Sequence, residues 1–444
     1  MRNRRLGVTA LAALVVIALV GPASPAVASA KTNTQAAHGE QIEYHRISTY
    51  QDWQAGTSQG VLNVPALGVT MGVPQGTTNF TDPHTGITQA WKYSTWTSPM
   101  HSIGFGATEA VASWNADVPA GTWIQVELHG TYSNGEQTPW FIMGRWAKGD
   151  GDIIRSSVDD QGDPRSTIYT DTFSIDDPST GVLLTSYQLR LTLYKKPGQL
   201  LGPRVSEMGA MASNVPDRFT VPASKGHIAW GKELAVPEFA QNIHTGQYPQ
   251  YDGGGEAWCS PTSTAMVLDY YGLGPTKAEN AWVDPTYADP DVDTAARGTY
   301  DAQYPGTGNW PFNTAYAAAH GADAIVTRLH SLDDVEHFIA AGIPVVISIS
   351  FLSSELDGAN YSTSGHLMVI VGFTSTGDVI VNDPASNTDA GVRNVYKRSQ
   401  LETDWLRTER ITASGSVGSG SGGVAYLIKP WWKPWPSVPG DQTW

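Results

Sequence analysis

Cysteine occurs once in 444 residues, at Cys259. It directly precedes residues 260–271 (SPTSTAMVLDYY), which read as a helix with Pro261 in the first turn and Gly272 as the stop. A helix start offers free N–H groups and a partial positive charge. Both favour thiolate over thiol, and a backbone N–H there can also hold an oxyanion. The position therefore suits a nucleophile better than a small buried hydrophobe or an intermolecular bridge. A thiolate nucleophile needs a base beside it. Of 11 histidines, His366 stands out because it follows Ser364-Gly365 and opens the apolar strand 366–373. If the next hairpin is centred between Thr374 and Ser375, His366 stands opposite Asp383. Directly opposed residues share a sheet face. A carboxylate there would hold the second ring nitrogen and fix its tautomer, unless a bulge shifts the register.

These residues need elements to carry them. Helices are expected at 260–271, 311–320 and 332–341, the last with Ser331 as N-cap and Asp334 at the capping-box position. Strands are expected at 343–350, 366–373, 378–382, 392–397 and 424–429, with 414–423 (SGSVGSGSGG) as a flexible loop. Upstream the pattern has period two. Ile124, Val126 and Leu128 alternate with Gln125, Glu127 and His129, and Tyr187, Leu189, Leu191 and Leu193 alternate with polar residues. Further strands fit 88–97, 107–114, 139–147 and 167–174, with no convincing helix, so 44–196 is expected to be an all-β sandwich. Residues 31–43 read as a flexible tail, 197–235 as a linker, 236–430 as the α+β domain and 431–444 as a Trp/Pro-rich tail.

Five segments of the α+β part resemble a known family: VPEFAQ (236–241), GGEAWCSPTSTAMVL (254–268), GTGNWPFNTAYAA (306–318), GHLMVIVGF (365–373) and VIVNDPAS (379–386). Together they are similar to papain-like peptidase domains related to the bacteriocin-processing (double-glycine leader) peptidases, most closely a secreted actinobacterial branch. The resemblance implies a papain-like cysteine peptidase domain over 236–430, with Cys259 as nucleophile, His366 as base and Asp383 as orienting acid. It also implies a glutamine ahead of the cysteine whose amide donates to the oxyanion. Gln241 matches best, while Gln247 and Gln250 lie nearer Cys259, beside a glycine-rich insertion at 253–255. Cys-Ser-Pro replaces the Cys-Gly-Pro common in the wider group, and neither a membrane domain nor a nucleotide-binding motif is evident. Leader-peptide cleavage therefore does not carry over, whereas thiol-dependent amide hydrolysis does.

Composition bounds the rest. The net charge is −15, which argues against nucleic acid or anionic membrane as partner. Arg2, Arg4 and Arg5, the apolar run 8–20 and Ala28-Ser29-Ala30 read as a signal peptide over 1–30, so a secreted, extracellular protein is expected, with no membrane contact after cleavage. Removing those three arginines takes the charge to −18. The acidic clusters at 289–293 and 150–163 fit no calcium-loop spacing and read as solvated loops. Neither H-E-x-x-H nor G-x-S-x-G occurs. Sandwich tryptophans Trp91, Trp96, Trp114, Trp123, Trp140 and Trp146 read as core anchors, with carbohydrate stacking the other reading.

The expectation is a cysteine peptidase or amide hydrolase acting on peptides, proteins or peptidoglycan stems. No metal or organic cofactor is implied. The rival is a wall- or polysaccharide-binding protein with a silent papain-like half. Because every candidate lies C-terminal, residues 236–444 are expected to fold and act without 31–196.

Overall fold

The computed structural model describes residues 39–444. The signal-peptide reading of 1–30, and 31–38 of the expected tail, lie outside the described residues. Residues 41–43 of that tail belong to a strand, Gln41–Ile47.

Two antiparallel seven-stranded sheets form the N-terminal sandwich. Its second sheet shows why alternation was a dependable signal. Strand Leu184–Lys195 pairs with Thr122–Tyr132 so that Leu189, Leu191 and Leu193 meet Leu128, Val126 and Ile124. All six side chains are fully buried, each contributing ~1.5–3 kcal/mol. Four strands of the first sheet position the site: β1 (Glu109–Asp117), β2 (Ser166–Tyr169), β3 (Thr172–Ile175) and β4 (Arg204–Asn214). They run in the order β2-β3-β1-β4, so β2 is an edge. The single strand expected over 167–174 is thus split into a hairpin, turning at Thr170-Asp171 with Thr170 at φ +57°.

β4 corrects the linker reading of 197–235. Its alternation is hidden because Gly209, Ala210 and Ala212 are small, yet it is a central strand paired with both β1 and Gln41–Ile47. A short helix, Tyr50–Ala55, also interrupts the sandwich, closed by a Thr49/Asp52 capping box. Five of the six tryptophans are buried, and Trp140 lies half-buried beneath Arg190, 4.2 Å from its ring centre.

In the C-terminal part, α1 (Cys259–Tyr270), α2 (Pro290–Thr299) and α3 (Trp310–Ala319) precede β5 (Ala322–Arg328). Then come α4 (Leu332–Ala340), β6 (Val345–Phe351), β7 (Thr363–Phe373), β8 (Val379–Asn382), β9 (Arg393–Tyr396), α5 (Arg398–Leu406) and β10 (Val424–Pro430). The strands form one antiparallel sheet in the order β5-β10-β6-β7-β8-β9, with α1 packed against β7. This is the α+β arrangement expected after an all-β sandwich. The acidic run 289–293 is not a solvated loop: it starts α2, and Asp293 is fully buried beside His244. Part of the glycine-serine run is ordered as Val417–Ser419, paired with Glu409–Ile411. The C-terminal tail packs back: Trp444 stacks edge-on against Phe338, and Tyr44 N–H donates to the Gln442 carbonyl.

The two parts are not joined by a loose connection. β1 lies along the edge strand β5, whose Ala324 and Val326 N–H groups donate to Asn115 Oδ1 and Ser113 Oγ. Trp114 and Trp146 pack on Phe312 of α3, at ring distances of 6.3 and 5.4 Å. Gly144 permits this, because a Cβ there would sit 2.7 Å from the Trp114 ring. Arg155 of the sandwich is 2% exposed and donates to the carbonyls of Arg297 and Tyr300. One hydrophobic core thus runs through both parts.

Candidate active site

α1 begins at Cys259 itself, with Trp258 as its fully buried N-cap residue. The Trp258 indole donates to the Tyr251 carbonyl at 2.6 Å, which fixes the entry into the helix. Pro261 falls where its missing N–H would have had no helical partner. The helix start is pinned to β7: the Ser263 hydroxyl donates to the Leu367 carbonyl, next to His366. Cys259 is half-buried and borders a cleft of about 1120 Å³ that also holds His366, Asp383 and Gln241.

The His366–Asp383 pairing is reached differently from the simple hairpin. β7 and β8 pair as Phe373↔Val379, then slip at a bulge between Ile370 and Gly372 to Val369↔Asn382. Asp383 therefore follows the end of β8 and stands diagonal to His366 instead of opposite it. Positions two apart share a sheet face, so the contact survives: His366 Nε2 donates to Asp383 Oδ1 at 2.8 Å. The other ring nitrogen is left free of Asp383, and Cys259 lines the same cleft and adds to the upward push on the imidazole pKa.

Asp383 has a full set of donors. Ala385 N–H donates to Oδ1 at 3.0 Å, Tyr396 hydroxyl to Oδ2 at 2.9 Å, and Tyr361 hydroxyl to Oδ2 at 3.0 Å. Sequence reasoning missed both tyrosines. Tyr396 lies on β9, and Tyr361 lies in the loop before β7, with no local motif to mark either; only the sheet order brings them to the carboxylate. Burial beside Asp383 pushes both phenols up, so both remain donors.

Burial alone would lower the His366 pKa. The Asp383 charge and hydrogen bond, with the contribution of Cys259, push it instead up to about 10. Burial alone would raise Asp383, but the His366 charge and its hydrogen bonds hold the carboxyl below its usual range. An imidazolium favoured in the folded state stabilises fully below the unfolded pKa of ~6.5, and that contribution fades as pH rises toward about 10. The carboxylate acts oppositely: its contribution is lost as pH falls below the usual carboxylate range through its depressed pKa. Urea titrations should therefore show the stability gap between wild type and His366→Gln narrowing from pH 6.5 to pH 10. A gap that widened over this range would contradict the ion pair.

Of the three glutamines, only Gln241 borders the cleft. Its backbone N–H donates to the Pro384 carbonyl at 2.8 Å, tying it to the corner that carries Asp383. Its side-chain Nε2 donates to the Glu256 carbonyl at 2.7 Å, which fixes the amide orientation and leaves a second N–H. Gly255 allows this approach, since a Cβ there would lie 2.2 Å from the Gln241 carbonyl oxygen. Gln247 is turned away and bound to His244.

Two family models match the sequence: a Peptidase C39 N-terminal domain over residues 43–213 and a Peptidase C39-like family over residues 233–413. The first ends within β4, in keeping with that strand belonging to the sandwich. No curated protein matches. A solved chain from Bacillus anthracis, described as a C39-like peptidase, aligns with 45% of this chain and 97% of its own length. Its identity is 17% and its TM-score 0.27, too distant to bear on the site. The chain thus carries a region matching the Peptidase C39 N-terminal domain ahead of a region matching the Peptidase C39-like family, whose match points to a cysteine-peptidase fold.

Proposed function

We propose that the protein is an exported cysteine peptidase working through Cys259, His366 and Asp383. The observation that carries this reading is the hydrogen-bonded His366–Asp383 pair lining one cleft with Cys259 at the start of α1. The Cys259 sulfur attacks the substrate carbonyl carbon, and the oxygen takes the negative charge. The α1 N-terminus and the second Gln241 N–H would stabilise that charge. The C–N bond then breaks, and the His366 imidazolium gives its proton to the departing amine, leaving a thioester. Water attacks the thioester while His366 takes its proton; the acid leaves and the thiolate–imidazolium pair returns. Tyr361, Tyr396 and Asp383 hold the ring throughout. Peptides, proteins and peptidoglycan stems are the substrate classes in view, encountered outside the cell once 1–30 are removed.

The test is cleavage profiling on a peptide library, with folded Cys259→Ala as control. Iodoacetamide should abolish cleavage with one group added per chain. Cleavage that persists unchanged in Cys259→Ala removes the proposal.

A further inference from the structure

The cleft does not end within the C-terminal domain. Its far wall includes Glu109, Tyr169, Thr172 and Ser174 of the sandwich, together with Arg328 of β5. The sandwich residues reach it for a definable reason. In the β2–β3–β1 ladder, Tyr169 stands opposite Thr172 and Ser174 opposite Glu109. Directly opposed residues, and those two apart, share a face. All four side chains therefore lie on one face, while Ile168, Phe173 and Ile175 face the core on the other. Glu109 pairs with Arg328 across the junction. Arg328 is 7% exposed, and its Nε has no hydrogen-bond partner. The wall is also anchored: Asp171, in the β2–β3 turn, accepts the Trp310 N–H at the start of α3, and Trp310 itself borders the cleft.

The sheet gives the distance to the chemistry. Arg328 stands opposite Val424, the next residue Ala425 meets Ile347, and Ser348 meets Leu367 beside His366. Arg328 and Leu367 thus end the same row, three strand spacings apart, with His366 adjacent to Leu367. At ~4.8 Å each this is about 14 Å, or about four residues of extended peptide at ~3.3 Å per residue. A dipeptide-sized substrate at Cys259 would leave that wall untouched.

We propose that Tyr169, Thr172 and Ser174, with the Glu109–Arg328 pair, form a distal subsite that holds an extended polypeptide about four residues from the scissile bond. The sandwich thereby becomes part of the specificity apparatus, and the favoured substrate is an internal segment of an unfolded or looped chain. This rests on the peptidase reading above. Tyr169 is 61% exposed, so its replacement threatens the fold little.

The experiment compares a ten-residue peptide cleaved by the wild type with a minimal chromogenic amide carrying the same residues at the bond. Tyr169→Ala and Thr172→Arg should each lower kcat/KM on the long peptide roughly ten-fold, mainly through KM, and leave the short amide unchanged. Equal losses on both substrates, or no loss on either, overturn the subsite. Binding of the long peptide to Cys259→Ala, with and without Tyr169→Ala, reads the same wall without turnover. A wild type that hydrolyses nothing while that binding still depends on Tyr169 would sink the peptidase reading and spare the subsite. Binding indifferent to Tyr169 would sink the subsite alone.

Discussion

Alanine at Cys259 or at His366 should lower peptide hydrolysis by roughly three orders of magnitude or more while leaving the protein folded. The two changes should not add when combined, because nucleophile and base act as one unit. Asp383 is a different case. It is 1% exposed and accepts from His366, Ala385, Tyr361 and Tyr396. Asp383→Ala strands those donors in a buried site, at a cost of about 1–3 kcal/mol for each left unpaired. Its effect should therefore divide between rate and stability. Asp383→Asn keeps the shape and removes the charge that raises His366, so its loss should appear mainly in rate. Tyr396→Phe removes a single donor to the carboxylate and should cost about ten-fold in kcat/KM. Because Tyr396 acts through Asp383, its replacement should also move the pH–rate profile, which a merely structural role would not do. A folded Cys259→Ala protein with near-full activity would remove the mechanism, and wild-type rates for Asp383→Asn would remove the carboxylate from it.

Residues 236–444 expressed alone should not reach the folded state, contrary to the expectation raised by the C-terminal position of every catalytic candidate. Without the sandwich, β5 becomes an open sheet edge whose N–H groups lose Asn115 and Ser113, a template for aggregation. Phe312 loses Trp114 and Trp146, and the α3 start loses Asp171. In the full-length protein, Phe312→Ala should cost roughly 3–5 kcal/mol, since a large buried ring is removed from between two parts that cannot collapse freely onto the gap. Denaturant unfolding followed by tryptophan fluorescence and by activity should give coincident transitions. Two separate transitions, or a soluble and active 236–444 fragment, would show that the parts are energetically independent. The distal subsite would then lack its rigid wall.

Whatever depended on residue type and local spacing was legible in the sequence. The alternation at Ile124, Val126 and Leu128 fixes which face is buried whatever lies across it. The Cys-Ser-Pro run ahead of an apolar helical stretch marks a helix start, because Pro261 fits only there. A short chain around Gly377 makes β7 and β8 neighbours in any case. β4 escaped notice because Gly209, Ala210 and Ala212 dilute the hydrophobic signal of its buried Val205, Met208 and Met211; at Gly209 a Cβ would lie 2.5 Å from the Tyr44 hydroxyl of the neighbouring strand. The bulge between Ile370 and Gly372 could not be read locally: at Gly372 the distant Lys232–Glu233 backbone closes on β7, where a Cβ would lie 2.4 Å from the Lys232 carbonyl. The Asp383 cage joins three separate stretches of chain, and the cleft wall joins Glu109 to Arg328 across 219 positions. Such contacts are set by how sheets stack and which edges must be covered, a condition on the whole chain that no window of neighbouring residues contains.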